Sequence, residues 1–257
     1  MRLLFFLIFL TANLQAQSVL TSDSTLNEIL LDIEGFQNNR YSEEEREVYP
    51  LGFATEEFYD DEYHFNLSIL ERLDAINTES LSFDDYISHS LLRFDVDNDI
   101  KLFEYKEYLI PILSESGFHT RVLWRTNRAL QTEEAVTNYI KFLEDIPRYF
   151  DENIALMREG MELGIAQPLE GLQNYQATYE PYIVESPENS IFARPVSQLP
   201  ENMSWANWRV FQNMIHDAIQ ETVTPAYQSL KEFFENEYFP NTRQDLGAAT
   251  MPDRSEE

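Results

Sequence analysis

The stretch "TEEAVTNYIKFLEDIPRYFDENIALMREGMELG", residues 132–164, decides the fold. Val136, Ile140, Leu143, Phe150, Ile154, Met157 and Met161 trace one face of an α-helix, with charged residues turned away from it. Thr132 is a cap, and Glu133 and Glu134 occupy the first turn, where the helix dipole favours negative charge. Pro147 lacks the N–H that the helix interior needs, so a kink or two abutting helices is expected. Gly164 and Pro168 mark the stop.

The same period appears on both sides of this segment. Leu26, Ile29, Leu30, Ile33 and Phe36 recur at helical spacing, with Ser24 available as a cap. "YPLGFATEEFYDDEY" breaks the period, and its Pro50 and Gly52 predict an ordered aromatic loop. A helix then follows with Tyr63, Leu67, Leu70, Leu73 and Ile76 as its buried stripe, and "SFDDYISHSLLRF" starts another behind the cap Ser82. A shorter helix is expected around residues 172–179, before a long irregular connection through Pro187, Pro195 and Pro200. From Ser204 the period returns in Trp205, Trp208, Phe211, Ile215 and Ile219; Pro225 interrupts it, and Tyr227, Leu230, Phe234 and Tyr238 resume it. No strand-like alternation of comparable strength occurs. The expected fold is all-α, a multi-helix bundle or array with long irregular connections.

The first residues, "MRLLFFLIFLTANLQAQSVL", combine Arg2, an apolar run over residues 3–10 and the small Ala16. That pattern is a secretory signal peptide, residues 1–16, followed by a single helical domain over 17–257. The apolar run is short for a bilayer span, so no stable membrane insertion is expected after cleavage. With no cysteine the fold needs no disulfide. A periplasmic or secreted bacterial protein is the expectation. The formal net charge of −28 repels phosphate backbones and makes nucleic acid an unfit partner.

The chemistry-bearing residues are scattered. His64, His89, His119 and His216 are isolated, and none belongs to the histidine–glutamate helix motif of zinc peptidases; a dispersed metal site would need them to converge in space. "DVDNDI" puts Asp95, Asp97 and Asp99 at alternating positions of a calcium loop, but Ile100 and Lys106 stand where glycine and glutamate belong, so an acidic helix face is the better reading. Arg121, Arg125 and Arg128 share one side if helical, either as internal salt-bridge donors or as receivers of a substrate carboxylate. Neither a catalytic set nor a metal set is assigned. The substrate-wall candidates are Tyr49, Phe53 and Tyr59 in the aromatic loop, and Trp205, Trp208 and Phe211, whose spacing equally suits a buried stripe.

Three colinear stretches, "YPLGFATEEFYDDEYHFNLS", "YIKFLEDIPRYFDENIALMREGMELGIAQP" and "TPAYQSLKEFFENEYFPNTRQDLGAATMPD", resemble a family of exported bacterial proteins labelled domain of unknown function 885. Its members are similar to zinc peptidases. The resemblance implies a mostly helical protein about twice this long, whose C-terminal half carries a histidine–glutamate zinc motif that activates water against a peptide bond. No residue here matches that motif, so the resemblance implies a chain that stops before it. The expected role is then a noncatalytic scaffold or substrate-cleft half, with zinc only in full-length relatives. Its expected partners are a peptide substrate or the missing C-terminal half. Two further readings stand beside it: a self-contained periplasmic peptide- or protein-binding module, and a metalloenzyme with a dispersed site.

Overall fold

The computed structural model describes residues 21–201, 203–243 and 246. The signal peptide with its cleavage after Ala16 and the closing "MPDRSEE" lie outside the described residues. The described chain is all-α with many 3-10 turns, and its β-type pairing is limited to two isolated bridges, Ile112 with Gly117 and Pro168 with Arg243.

Helix α1 spans Ser24–Asn39, capped by Asp23 rather than Ser24, whose neighbour's carboxylate accepts from the Leu26 amide. The short α2, Glu43–Val48, begins with a capping box between Ser42 and Glu45. Helix α3, Glu56–Asp74, starts within the stretch read as loop: Thr55 caps it, and Glu56 and Glu57 fill its first turn. The aromatic loop is therefore shorter than expected, ending at its own cap. Helix α4, Phe83–Glu104, opens on Ser82 as expected. Asp95, Asp97 and Asp99 belong to this helix rather than to a loop, and Asp97 pairs with Lys101 at 2.6 Å.

Helices α1, α3 and α4 share one small core of Leu26, Ile29, Ile69, Leu73, Val96 and Ile100. The α3 stripe is shifted from its expected position, since Ile69 is buried while Leu67 is 37% exposed. Where the chain enters α1, Asp85 gathers the hydroxyls of Thr21, Ser22 and Ser82, and these hydrogen bonds hold its carboxyl well below the usual carboxylate range.

The main core is built on α6, Glu133–Glu162, which follows the short α5, Phe118–Arg121, and the 3-10 turn Val122–Asn127. Of the two expected outcomes at Pro147, two abutting helices are not found: α6 runs as one helix of 30 residues with Pro147 inside it. Pro147 leaves the Leu143 carbonyl without its helical donor; the Thr222 hydroxyl lies 3.2 Å from that carbonyl, but its shorter bond, 2.6 Å, is to the Ala218 carbonyl of its own turn.

Thr222 stands in a wide π-turn, Ile219–Val223, which joins α7, Trp205–Ala218, to α8, Thr224–Phe233. A second π-turn, Phe234–Tyr238, joins α8 to the short α9, Phe239–Asn241. Pro225 thus does not interrupt the helix.

The helix expected around 172–179 is instead a series of 3-10 turns, including Leu169–Leu172 and Tyr175–Thr178. Asn174 takes the left-handed conformation, φ +62°, which interrupts a regular helix there. Buried tyrosines reach backbone groups here: Tyr139 donates to the Phe192 carbonyl at 2.9 Å, Tyr175 to Ser116 at 3.0 Å and Tyr227 to His119 at 2.7 Å. A third cluster of Ala54, Tyr108, Leu109, Leu156 and Ile165 spans between the two cores. Gly160 makes its close approach possible, since a Cβ there would stand 2.6 Å from the Ile165 carbonyl oxygen. No helix among the described residues is long and apolar enough to cross a membrane.

Candidate functional site

Between α2 and α3 the chain turns sharply at Gly52, whose φ is +73°. A side chain there would be strained by the left-handed backbone and would meet the Tyr41 hydroxyl at 2.5 Å, so glycine is required on two counts.

The backbone of this loop is gripped by three side chains of α6. Asp145, Arg148 and Glu152 stand three and four residues apart and share one helix face. The Leu51 amide donates to Asp145 Oδ2 at 3.0 Å, and the Ala54 amide donates to Glu152 Oε2 at 2.8 Å. Between them, Arg148 Nη2 donates to the Gly52 carbonyl at 2.7 Å. Arg148 also forks onto Asp145, through Nε at 2.6 Å and Nη2 at 3.0 Å, and pairs with Glu152. Burial works against its charge, but the hydrogen bonds to Asp145 and Glu152 outweigh that and raise its pKa. Its guanidinium lies 4.9 Å from the Tyr49 ring centroid and 5.5 Å from that of Phe53. The loop is thereby held from both its backbone and its rings.

Beside this clamp lies an open cleft of about 1010 Å³, bounded by α2, the loop, Arg125 and the N-terminal half of α6. Tyr49 and Pro50 form one side; Thr137, Asn138 and Lys141 of α6 form another. Lys141 is paired with Glu47 at 2.6 Å, and Arg46 donates to the Asn38 carbonyl. Arg125 donates to the Pro50 carbonyl at 3.2 Å and lies 4.6 Å from the Phe142 ring centroid. Burial, seconded by the nearby Arg128 charge, holds its pKa below the usual guanidinium range. Such a cleft offers charge, amide and aromatic groups to a polar ligand.

The wall candidates do not all meet. Tyr49 lines the cleft, and Phe53 stands behind it, 5.2 Å from the Tyr49 ring and against Tyr41 and Phe58. Tyr59 stacks on Tyr108 at 5.2 Å and belongs to the packing between the two cores. Trp208 is 3% exposed within the main core, and Phe211 packs partly buried against it. Trp205 is 67% exposed with the Arg209 guanidinium beside its ring.

The histidines stay apart. His119 is fully buried with Nε2 2.9 Å from Thr178 Oγ1, and desolvation holds its pKa down to about 3. His89 meets the Leu73 carbonyl at 2.9 Å. His64 faces Asp60 and His216 faces Glu188. Among the described residues, no group of three or more histidine, aspartate or glutamate side chains is placed to hold a metal ion.

Sequence reading missed the Asp145, Arg148 and Glu152 clamp. Asp145 takes a buried position among the apolar residues of α6, but the sequence alone does not set it apart from the chain's many other acids.

Comparison with curated proteins and with solved structures returns no match. The family described as "Bacterial protein of unknown function (DUF885)" matches residues 50–257, which include the loop, its clamp and most of the described chain. The chain belongs to this bacterial family, DUF885.

Proposed function

We propose that this chain is a noncatalytic helical scaffold of an exported, zinc-peptidase-like protein. It forms one wall of a peptide cleft and docks against a companion half that supplies the metal. The clamped 49–55 loop and the cleft beside it are the wall, with Tyr49 facing the substrate and Phe53 backing it. The 205–211 segment contributes through Trp205, its exposed member. The metal ligands and general base come from the other half.

The observation that carries this reading is the second face of α4. One face of that helix, through Val96 and Ile100, enters the small core. The opposite face presents Phe83, Ile87, Leu91 and Phe94, spaced four, four and three residues apart and 78%, 41%, 60% and 67% exposed. A helix apolar on both faces is built to lie between two layers. Asp84 and Asp95 lie along one edge of the stripe, so the surface fits an apolar partner with basic groups on that side. That partner is the companion half.

The test is to mix the signal-free chain with the C-terminal half of a full-length family member and to follow association, zinc content and peptidase activity. Association that Leu91→Asp abolishes, with zinc carried by the added half, is the expected result. Roughly one tightly held zinc per chain in the isolated protein would refute the noncatalytic assignment. Saturable peptide binding by a monodisperse chain that ignores the added half would favour the self-contained module instead.

A further inference from the structure

We infer that Arg125 is the anion anchor of the cleft, receiving a singly charged carboxylate of a bound peptide. The inference rests on the peptide-wall reading and names the chemistry of its ligand.

Three cations line the cleft. Lys141 is paired with Glu47 at 2.6 Å; Arg46, like Arg125, donates to a backbone carbonyl, that of Asn38, but it is exposed to solvent where Arg125 is half-buried. Arg125 gives one N–H to the Pro50 carbonyl at 3.2 Å and, among the described residues, has no carboxylate partner in an ion pair. A guanidinium carries five N–H donors in a planar fork, so most of its capacity is unspent. It is half-buried, with Phe142 at 4.6 Å and Trp124 at 5.2 Å stacked about it. Removing a cation from water without a paired anion is unfavourable, and an arriving carboxylate reverses that cost through two parallel charge-assisted hydrogen bonds.

The cation is also held in place. The Pro50 carbonyl that accepts from Arg125 belongs to the loop whose next amide, that of Leu51, is fixed by Asp145. The fork is therefore positioned before any ligand arrives. Glu43, Glu47 and Glu134 on the same lining set the class of anion. Their charge disfavours a phosphate dianion and tolerates a monoanion whose remaining groups are neutral or cationic. Tyr49, Thr137 and Asn138 offer ring and hydrogen-bonding surface for the peptide behind that carboxylate.

The carboxylate is either the peptide's C-terminus or an acidic side chain, and three probes separate the two. Acetyl-Ala-Tyr-Ala as the free acid, the same peptide as its C-terminal amide, and acetyl-Ala-Tyr-Glu amide are titrated into the signal-free chain by calorimetry and by NMR. Either or both carboxylate-bearing peptides should bind about 10- to 100-fold more tightly than the plain amide. The preference should vanish in Arg125→Gln, which keeps a donor for the Pro50 carbonyl, and should partly survive in Arg125→Lys; thermal melts establish that each variant is folded. Tight binding of the free acid alone identifies the terminal carboxylate, and tight binding of the glutamyl amide alone identifies the side chain. Equal binding of all three overturns the anchor while leaving the peptide wall standing. A carboxylate preference that persists in folded Arg125→Gln also overturns it. Failure of all three to bind refutes the peptide wall and the anchor with it.

Discussion

Replacing Arg148 with methionine tests whether the cleft is preformed. The substitution keeps most of the aliphatic stem and removes four interactions at once: the donor to the Gly52 carbonyl, both bonds to Asp145, and the pair with Glu152. Asp145, whose side chain is 4% exposed, then retains the Leu51 amide but loses its only ion-pair partner among the described residues. Truncating one member of a buried pair typically costs about 3–5 kcal/mol. Arg148 itself is 26% exposed, and water will enter part of the vacated space, which lowers the expectation to about 2–4 kcal/mol. For a chain of this size that corresponds to a fall in Tm of roughly 5–15 °C. Urea unfolding measures the loss. Amide exchange at Leu51 and Ala54 reports whether it is local, and both should exchange faster. Adding Asp145→Asn should recover part of the loss, because the stranded charge is gone. A loss below about 0.5 kcal/mol, with unchanged exchange at both amides, would refute the clamp.

His119 gives a pH signature. Its folded pKa of about 3 lies below the usual value of 6.5. The unfolded chain therefore binds the extra proton first, and the stability that neutral His119 contributes is full above 6.5 and lost as pH falls towards 3. Denaturation should show about 2 kcal/mol lost between pH 7 and pH 5 from this residue, and His119→Phe should flatten that slope; an unchanged slope would refute the assignment. Leu91→Gln with Phe94→Gln should leave folding stability within about 0.5 kcal/mol per site while reducing binding of an apolar dye; a loss of 2–5 kcal/mol per site would mean that the α4 stripe is core of this chain.

Much of the fold was legible because helix periodicity and caps are local. Thr132 and Ser82 each accept from a backbone amide at the start of their helix as read, whereas the cap of α1 is Asp23 rather than Ser24 and the cap Thr55 lies in the stretch read as loop. Proline was read less well because its effect depends on the packing around it. Pro147 predicts a kink or two abutting helices, and α6 instead keeps one 30-residue run with Pro147 half-buried within it. The 3-10 series around Tyr175 and Tyr179 escaped for a similar reason, since buried phenols and packed rings replace regular helical bonding there. Of the site, Tyr49 and the loop were visible as an aromatic break in period. The clamp was not, because Asp145 and Glu152 look like two of many acids until the structure brings them to the Leu51 and Ala54 amides.

The two π-turns carry a consequence for how this protein tolerates change in length. Each wide turn is followed, two residues after its end, by a proline: Pro225 after Val223 and Pro240 after Tyr238. The extra residue in each turn also resets the phase of the buried face, so that Ile215, Ile219, Val223 and Tyr227, each four apart, all remain inside. The run from α7 to α9 thus contains two places where the helix holds one residue more than a regular turn. Deleting a residue from the first turn would produce a more regular helix and a worse protein: everything downstream would swing by about 100°, carrying the Tyr227 hydroxyl away from the His119 carbonyl and the whole aromatic face out of the core.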